Sequence, residues 1–159
     1  MDYLWTPWRY QYIAGLKKDP ERCVFCDIPV DQSPDDLVIA RGRLNYIVLN
    51  RYPYTTGHCL VVPFRHFAAF HELTSEEAGE MIGLSQRLQL ALEQTYHPEG
   101  FNLGWNQGRC AGAGVAGHLH LHLIPRWTGD SNLVSAIGET RILPEELQAT
   151  RTKLQRFFP

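Results

Sequence analysis

The run His118-Leu-His-Leu-His-Leu-Ile-Pro125 constrains this chain more than any other stretch of it. Side chains of an extended strand alternate between faces, so His118, His120 and His122 share one face and Leu119, Leu121 and Leu123 the other. The leucine face needs a core. The histidine face brings polar nitrogens that must find partners once buried. A strand of this kind belongs in a sheet covered by apolar packing on one side and carrying a polar site on the other.

The chain has 159 residues, enough for one domain, and the expected division is a single domain over 1–159. Within it, 1–35 forms an N-terminal extension, 36–126 the core sheet and long helix, and 127–159 a C-terminal segment and helix. Apolar residues make up 44% and charged residues 20%, a globular balance. No apolar stretch is long enough to span a membrane, and the start Met-Asp-Tyr-Leu-Trp has no signal-peptide pattern, so the expected location is cytoplasmic. A net charge of −2 argues against a nucleic-acid polymer as partner. Arg51, Arg65, Arg109 and Arg126 remain available to a small anion.

Turn and periodicity signals sketch an α+β fold. Pro7 and Gly15 bracket a short helix over about 7–15, and the Pro/Asp-rich stretch 27–36 reads as loop. Val38–Ala40 and Tyr46–Leu49 form a hairpin across Arg41-Gly42-Arg43, and His58–Val62 is a third strand stopped by Pro63. Thr74-Ser-Glu-Glu77 is a capping box opening a long helix. Its expected buried stripe is Ala78, Met81, Ile82, Ser85, Leu88 and Leu92, and Pro98-Glu-Gly100 ends it. Phe101–Trp105 and His118–Ile124 are two further strands flanking a glycine-rich loop, and Pro144 starts a last helix. The expected architecture is a five-stranded antiparallel sheet with the long helix and the C-terminal helix packed on it.

The three histidines do not suit a single metal ion. Their outer Cα atoms lie roughly 13 Å apart in a strand, too far for ligand bonds near 2 Å to one ion. Nucleophilic catalysis at phosphorus suits them better. A neutral imidazole is a competent nucleophile near pH 7, and flanking imidazoles can donate to phosphoryl oxygens. Glycines at 108, 112, 114 and 117 let backbone N–H groups approach an anion. Cys23-Val-Phe-Cys26 supplies two thiolates, and a structural zinc wants four ligands. The remaining two must be distant residues, with His66 and His118 as candidates; Cys59 and Cys110 stand alone.

These motifs resemble the histidine triad (HIT) superfamily. His118-Leu-His-Leu-His122 is similar to its His-x-His-x-His signature. Asn50…Gly57-His58-Cys-Leu-Val-Val-Pro63 and Asn106-Gln-Gly108 resemble its upstream segments. Trp5-Thr-Pro-Trp8-Arg9 and Pro125-Arg-Trp127-Thr-Gly-Asp130 resemble a branch that includes diadenosine tetraphosphate hydrolases and phosphorylases. The resemblance implies a HIT-like fold and a nucleotide hydrolase or nucleotidyl transferase. Its substrate would be an adenine dinucleoside polyphosphate or a related nucleotide conjugate, attacked at the α-phosphate. By the same resemblance His120 becomes nucleotidylated, His122 assists the leaving oxygen and His58 serves the same phosphate. Asn50 contacts the ribose and Asn106 the phosphate or ribose, the backbone around Gly114 and Val115 cradles phosphate oxygens, and Tyr46, Ile47 and Leu49 are candidates for an apolar base pocket. The loop 106–117 departs from many family members in placing no serine, threonine or glutamine close to the triad.

Metal-bearing HIT proteins, and the related galactose-1-phosphate uridylyltransferases, join a Cys-x-x-Cys pair to two histidines. Mapped here, that resemblance implies a structural zinc on Cys23, Cys26, His66 and His118, with no cofactor needed for the chemical step. It also implies a homodimer using the long helix and a strand edge. Two other readings compete: a metal-dependent hydrolase with triad ligands, and a non-catalytic nucleotide-binding module.

Overall fold

Segments of alternating apolar character pair where the sequence places them, and one helix closes the sheet's apolar side. The computed structural model describes residues 22–30, 36–131 and 142–159. Its elements are helix α1 (Val24–Asp27), a 3-10 turn at Ile28–Val30, and strands β1 (Val38–Arg41), β2 (Asn45–Leu49) and β3 (Cys59–Pro63). There follow helix α2 (Ser75–Tyr96), strands β4 (Gly100–Gly104) and β5 (Leu121–Arg126), and helix α3 (Leu147–Gln155). The sheet is five-stranded and antiparallel, in the order β1-β2-β3-β5-β4.

Directly paired residues share a face. One face carries Val48, Leu60, His122 and Gly104 in register; the other carries Leu49, Cys59, Leu123 and Leu103. The second face meets α2 through Met81, Leu84, Leu88, Ala91 and Leu92, which join Ile47, Leu49, Val61, Leu121 and Leu123 in one apolar cluster. α3 docks Leu154 into the same core, and Arg151 Nε donates to Val38 O at 3.0 Å.

The capping box forms as expected. Thr74 Oγ1 accepts from Glu77 N at 3.2 Å and Glu77 Oε2 accepts from Thr74 N at 2.9 Å. The Arg65 guanidinium forks onto the Glu77 carboxylate at 2.9 and 2.8 Å, and this contact holds the carboxyl down at about 2 in spite of burial. Glu80 ties the same helix to the β1–β2 turn. Its carboxylate accepts the backbone N–H groups of Arg43, Leu44 and Asn45, each at 2.7 Å, and Asn45 Nδ2 at 2.9 Å.

Several expectations need correction. Ile82 is 49% exposed, because the buried stripe runs through Met81, Leu84, Ser85, Leu88 and Leu92 and leaves position 82 on the outer side. The stretch 27–36 is not all loop: α1 reaches Asp27 and the 3-10 turn covers 28–30. The β5 ladder starts at Leu121, since Leu119 N donates instead to Phe67 O at 2.8 Å, outside the sheet. α3 begins at Leu147, with Glu146 as its N-cap; Glu145 turns its carboxylate to Tyr96, Thr150 and Lys153. The helix expected over 7–15 lies outside the described residues. No helix among the described residues is long and apolar enough to cross a membrane.

Candidate active site and metal cluster

His118, His120 and His122 are 1%, 6% and 8% exposed, so each must satisfy its ring nitrogens within the protein or on a ligand. Their surroundings divide them. His118 Nε2 lies 2.9 Å from Pro63 O. A carbonyl only accepts, so this nitrogen carries the proton and Nδ1 holds the lone pair. That lone pair faces Cys23 Sγ at 3.3 Å and Cys26 Sγ at 3.6 Å.

His66 Nδ1 approaches Cys26 Sγ at 3.4 Å, and one ligand atom from each of Cys23, Cys26, His66 and His118 falls within 4.8 Å of the others. Tetrahedral zinc with bonds of about 2.3 Å to sulfur and about 2.0–2.1 Å to nitrogen needs ligand atoms about 3.3–3.8 Å apart, the size of the three sulfur–nitrogen distances here. The Pro63 carbonyl fixes the tautomer that zinc requires. Burial, followed by the neighbouring Cys23, pushes the Cys26 thiol up to about 11, an opposition a divalent cation would relieve. The donor set therefore fits a structural zinc.

His120 is held the opposite way. Its Nδ1 lies 2.8 Å from His118 O and so carries the proton, leaving the lone pair on Nε2. Burial lowers its pKa, which keeps this lone pair free of a proton at neutral pH.

His122 completes a relay. Tyr54 N donates to His58 Nδ1 at 3.1 Å, so the neutral His58 ring carries its proton on Nε2. That nitrogen lies 2.9 Å from His122 Nδ1, which accepts. His122 Nε2 is then an N–H donor; it is buried and has no hydrogen-bond partner among the described residues. Burial and, next, the charge of His120 push the His122 pKa down to about 4, so it remains a neutral donor. The His120 and His122 rings lie 4.9 Å apart. A lone pair and an N–H donor thus stand side by side on adjacent rings, an arrangement suited to attack on an electrophile and stabilisation of the charge that develops.

An open cleft beside His122 is lined in part by Tyr54, Trp105, Asn106 and Ile124. Asn106 lies on the wall of this cleft. Asn50 is engaged locally: its Oδ1 accepts from Tyr52 N at 3.0 Å, an Asx-type turn, and its Nδ2 lies 3.3 Å from His58 Nδ1. Gly114 is exposed on the loop before the triad, and Val115 packs against the core.

The expected base pocket does not form from Tyr46, Ile47 and Leu49 as a group. Ile47 and Leu49 belong to the face covered by α2, because positions 47 and 49 are out of phase with Val48 and the histidines. Tyr46 is on the histidine side but fully buried, and its hydroxyl donates to Phe25 O at 2.7 Å. Phe25 was not singled out in the sequence. Its ring lies 4.7 Å from that of His120 and 5.7 Å from that of His118. Its place between the two cysteines was the available signal.

Known proteins are similar to this chain in sequence and in fold. Residues 31–129 match the family model described as the HIT domain. The chain is 40% identical over 158 residues to an AP-4-A phosphorylase of Mycobacterium tuberculosis (strain ATCC 25618 / H37Rv), covering 95% of this chain and 81% of the relative. It is 32% identical over 127 residues to the adenosine 5'-monophosphoramidase of Schizosaccharomyces pombe, covering 80% and 91%. Among solved structures, a Zn-bound histidine triad family protein from Mycobacterium smegmatis superposes with a TM-score of 0.69 at 28% identity, covering 85% of this chain and 91% of that one. With its histidine run, its sheet and these relatives taken together, the chain belongs to the histidine triad (HIT) family.

Proposed function

We propose that this protein is a nucleotide hydrolase or phosphorylase acting on the α-phosphate of an adenine dinucleoside polyphosphate through a covalent nucleotidyl-His120 intermediate. The observation that carries this reading is the pairing of an unprotonated Nε2 on His120 with an N–H at Nε2 of His122. The 40% identity to an AP-4-A phosphorylase supports the substrate class.

In the first step the His120 Nε2 lone pair forms a bond to the α-phosphorus, and the bond from that phosphorus to its bridging oxygen breaks. The nucleoside polyphosphate leaves with that electron pair, and the His122 N–H hydrogen-bonds the departing oxygen. In the second step an acceptor oxygen attacks the α-phosphorus and releases His120. Water as acceptor yields AMP; inorganic phosphate yields ADP. Asn50 binds the ribose and Asn106 the phosphate or ribose, and the loop backbone at Gly114 and Val115 cradles phosphoryl oxygens. Cys23, Cys26, His66 and His118 would hold a zinc, which would supply a crosslink between the N-terminal segment and the sheet.

The functional unit in this reading is a cytoplasmic homodimer. β4 is an edge strand whose Leu103 is 51% exposed, and Ile82 on α2 is 49% exposed. Pairing would cover both and remove an open edge.

The deciding experiment incubates diadenosine tetraphosphate with and without phosphate, quenches during turnover and maps the adduct by mass. Nucleotidyl-His120 is expected, with ATP plus AMP or ATP plus ADP as products. An adduct on another residue, or full turnover by His120→Asn, overturns the reading.

A further inference from the structure

Phe25 is 6% exposed and sits between two members of the metal cluster, Cys23 and Cys26. Its ring is tilted 46° against His120 at 4.7 Å and meets His118 edge-on at 76°. Its carbonyl accepts from Tyr46 Oη, and the turn that carries it is closed by Cys26 N and Asp27 N, which both donate to Cys23 O, at 2.9 and 3.2 Å. A second restraint on His120 is the His118 carbonyl at Nδ1, and His118 is itself a member of the cluster. Two of the contacts on the His120 ring therefore come from the cluster or from a residue between its cysteines, and the His122 ring at 4.9 Å is a third.

We propose that Phe25 is a positioning residue for His120. Its ring and the His118 carbonyl together fix the rotamer and tautomer of that imidazole, so that closing the cluster on a metal presents His120 Nε2 to substrate. This inference rests on the reading of His120 as nucleophile. A ring packed on one flank of an imidazole removes competing rotamers, and small displacements of a reacting group carry large kinetic penalties.

The test compares wild type, Phe25→Ala and Phe25→Leu, each loaded with zinc, and wild type stripped by a chelator. The first readout is the ¹⁵N spectrum of the histidine side chains, which separates Nδ1–H from Nε2–H tautomers. The Nδ1–H form of His120 is expected in the zinc-loaded wild type, and a mixed or averaged signal in Phe25→Ala and in the stripped chain. The second readout is kinetic: kcat should fall about 10- to 100-fold in Phe25→Ala, with KM changed little and Phe25→Leu intermediate. Should Phe25→Ala fail to fold, Phe25→Leu and the stripped chain carry the spectral test. An unchanged His120 tautomer in every sample that folds, or a loss confined to KM, overturns the inference. Mapping the nucleotidyl adduct in wild type keeps the two readings apart. An adduct elsewhere removes His120 as nucleophile, whereas an adduct on His120 together with an unchanged tautomer removes Phe25 alone.

Discussion

His58 Nε2 lies 2.9 Å from His122 Nδ1, and the Tyr54 N–H on the far side of the His58 ring sets the direction of that hydrogen bond. One backbone amide thereby decides, through the His58 ring, which nitrogen of His122 carries a proton.

Removing the relay should separate positioning from chemistry. His58→Ala leaves His122 free to exchange tautomers, so kcat should fall about 10- to 100-fold while the adduct on His120 still forms, more slowly. Single-turnover kinetics on the quenched enzyme provides the check. Full retention of kcat would show that His122 needs no such orientation.

Acid should destabilise the fold through His122. Its folded pKa of about 4 lies below the ordinary value of 6.5, so between these values the unfolded chain binds more protons than the native one. Stability then rises with pH across that window and falls as the solution is acidified. The full difference is on the order of 3 kcal/mol for this one group. Denaturant titrations of wild type and His122→Gln at pH 7 and 4.5 should give a smaller pH difference in the variant.

Glu80→Ala strips the β1–β2 turn of the acceptor for three backbone N–H groups and the Asn45 amide. A loss of about 2–3 kcal/mol is expected from donors left without a charged acceptor. The urea midpoint should drop with an unchanged slope.

Gly57 adopts φ +80°, and a Cβ there would stand 2.9 Å from Leu92 Cδ2 and 3.3 Å from Pro125 Cγ. Gly57→Ala combines a left-handed backbone with overpacking and should cost about 2–4 kcal/mol. Thermal unfolding reports it directly. His58 follows in sequence, so activity should fall along with the melting temperature.

Zinc content offers an independent check on the cluster. About one zinc per chain is expected in purified protein, lost in Cys23→Ser, with a lower melting temperature after chelation. Undiminished stability in metal-free protein would count against a structural role.

Much of the architecture was readable from local pattern. The alternation through 118–124, the stop at Pro63 and the Thr74–Glu77 capping box are all short-range signals, and the strands and long helix they mark are present. Misplacements arose where phase alone decides burial. Ile82 belongs to the outer side of α2, and Ile47 and Leu49 to the helix-covered face, although all three are apolar. Composition cannot distinguish two apolar positions one residue apart; register can.

The sequence by itself determined the histidine face, the ligand candidates and the family, because these depend on residue type and spacing. Tertiary structure decided which nitrogen of each imidazole carries its proton. Protons on His118, His120 and His58 are placed by the carbonyls of Pro63 and His118 and the amide of Tyr54, and backbone groups leave no mark of their own in a sequence. Phe25 likewise acquires its contact with His120 only when chain segments 95 residues apart meet, as the hydrogen bond from Cys23 to His118 shows they do.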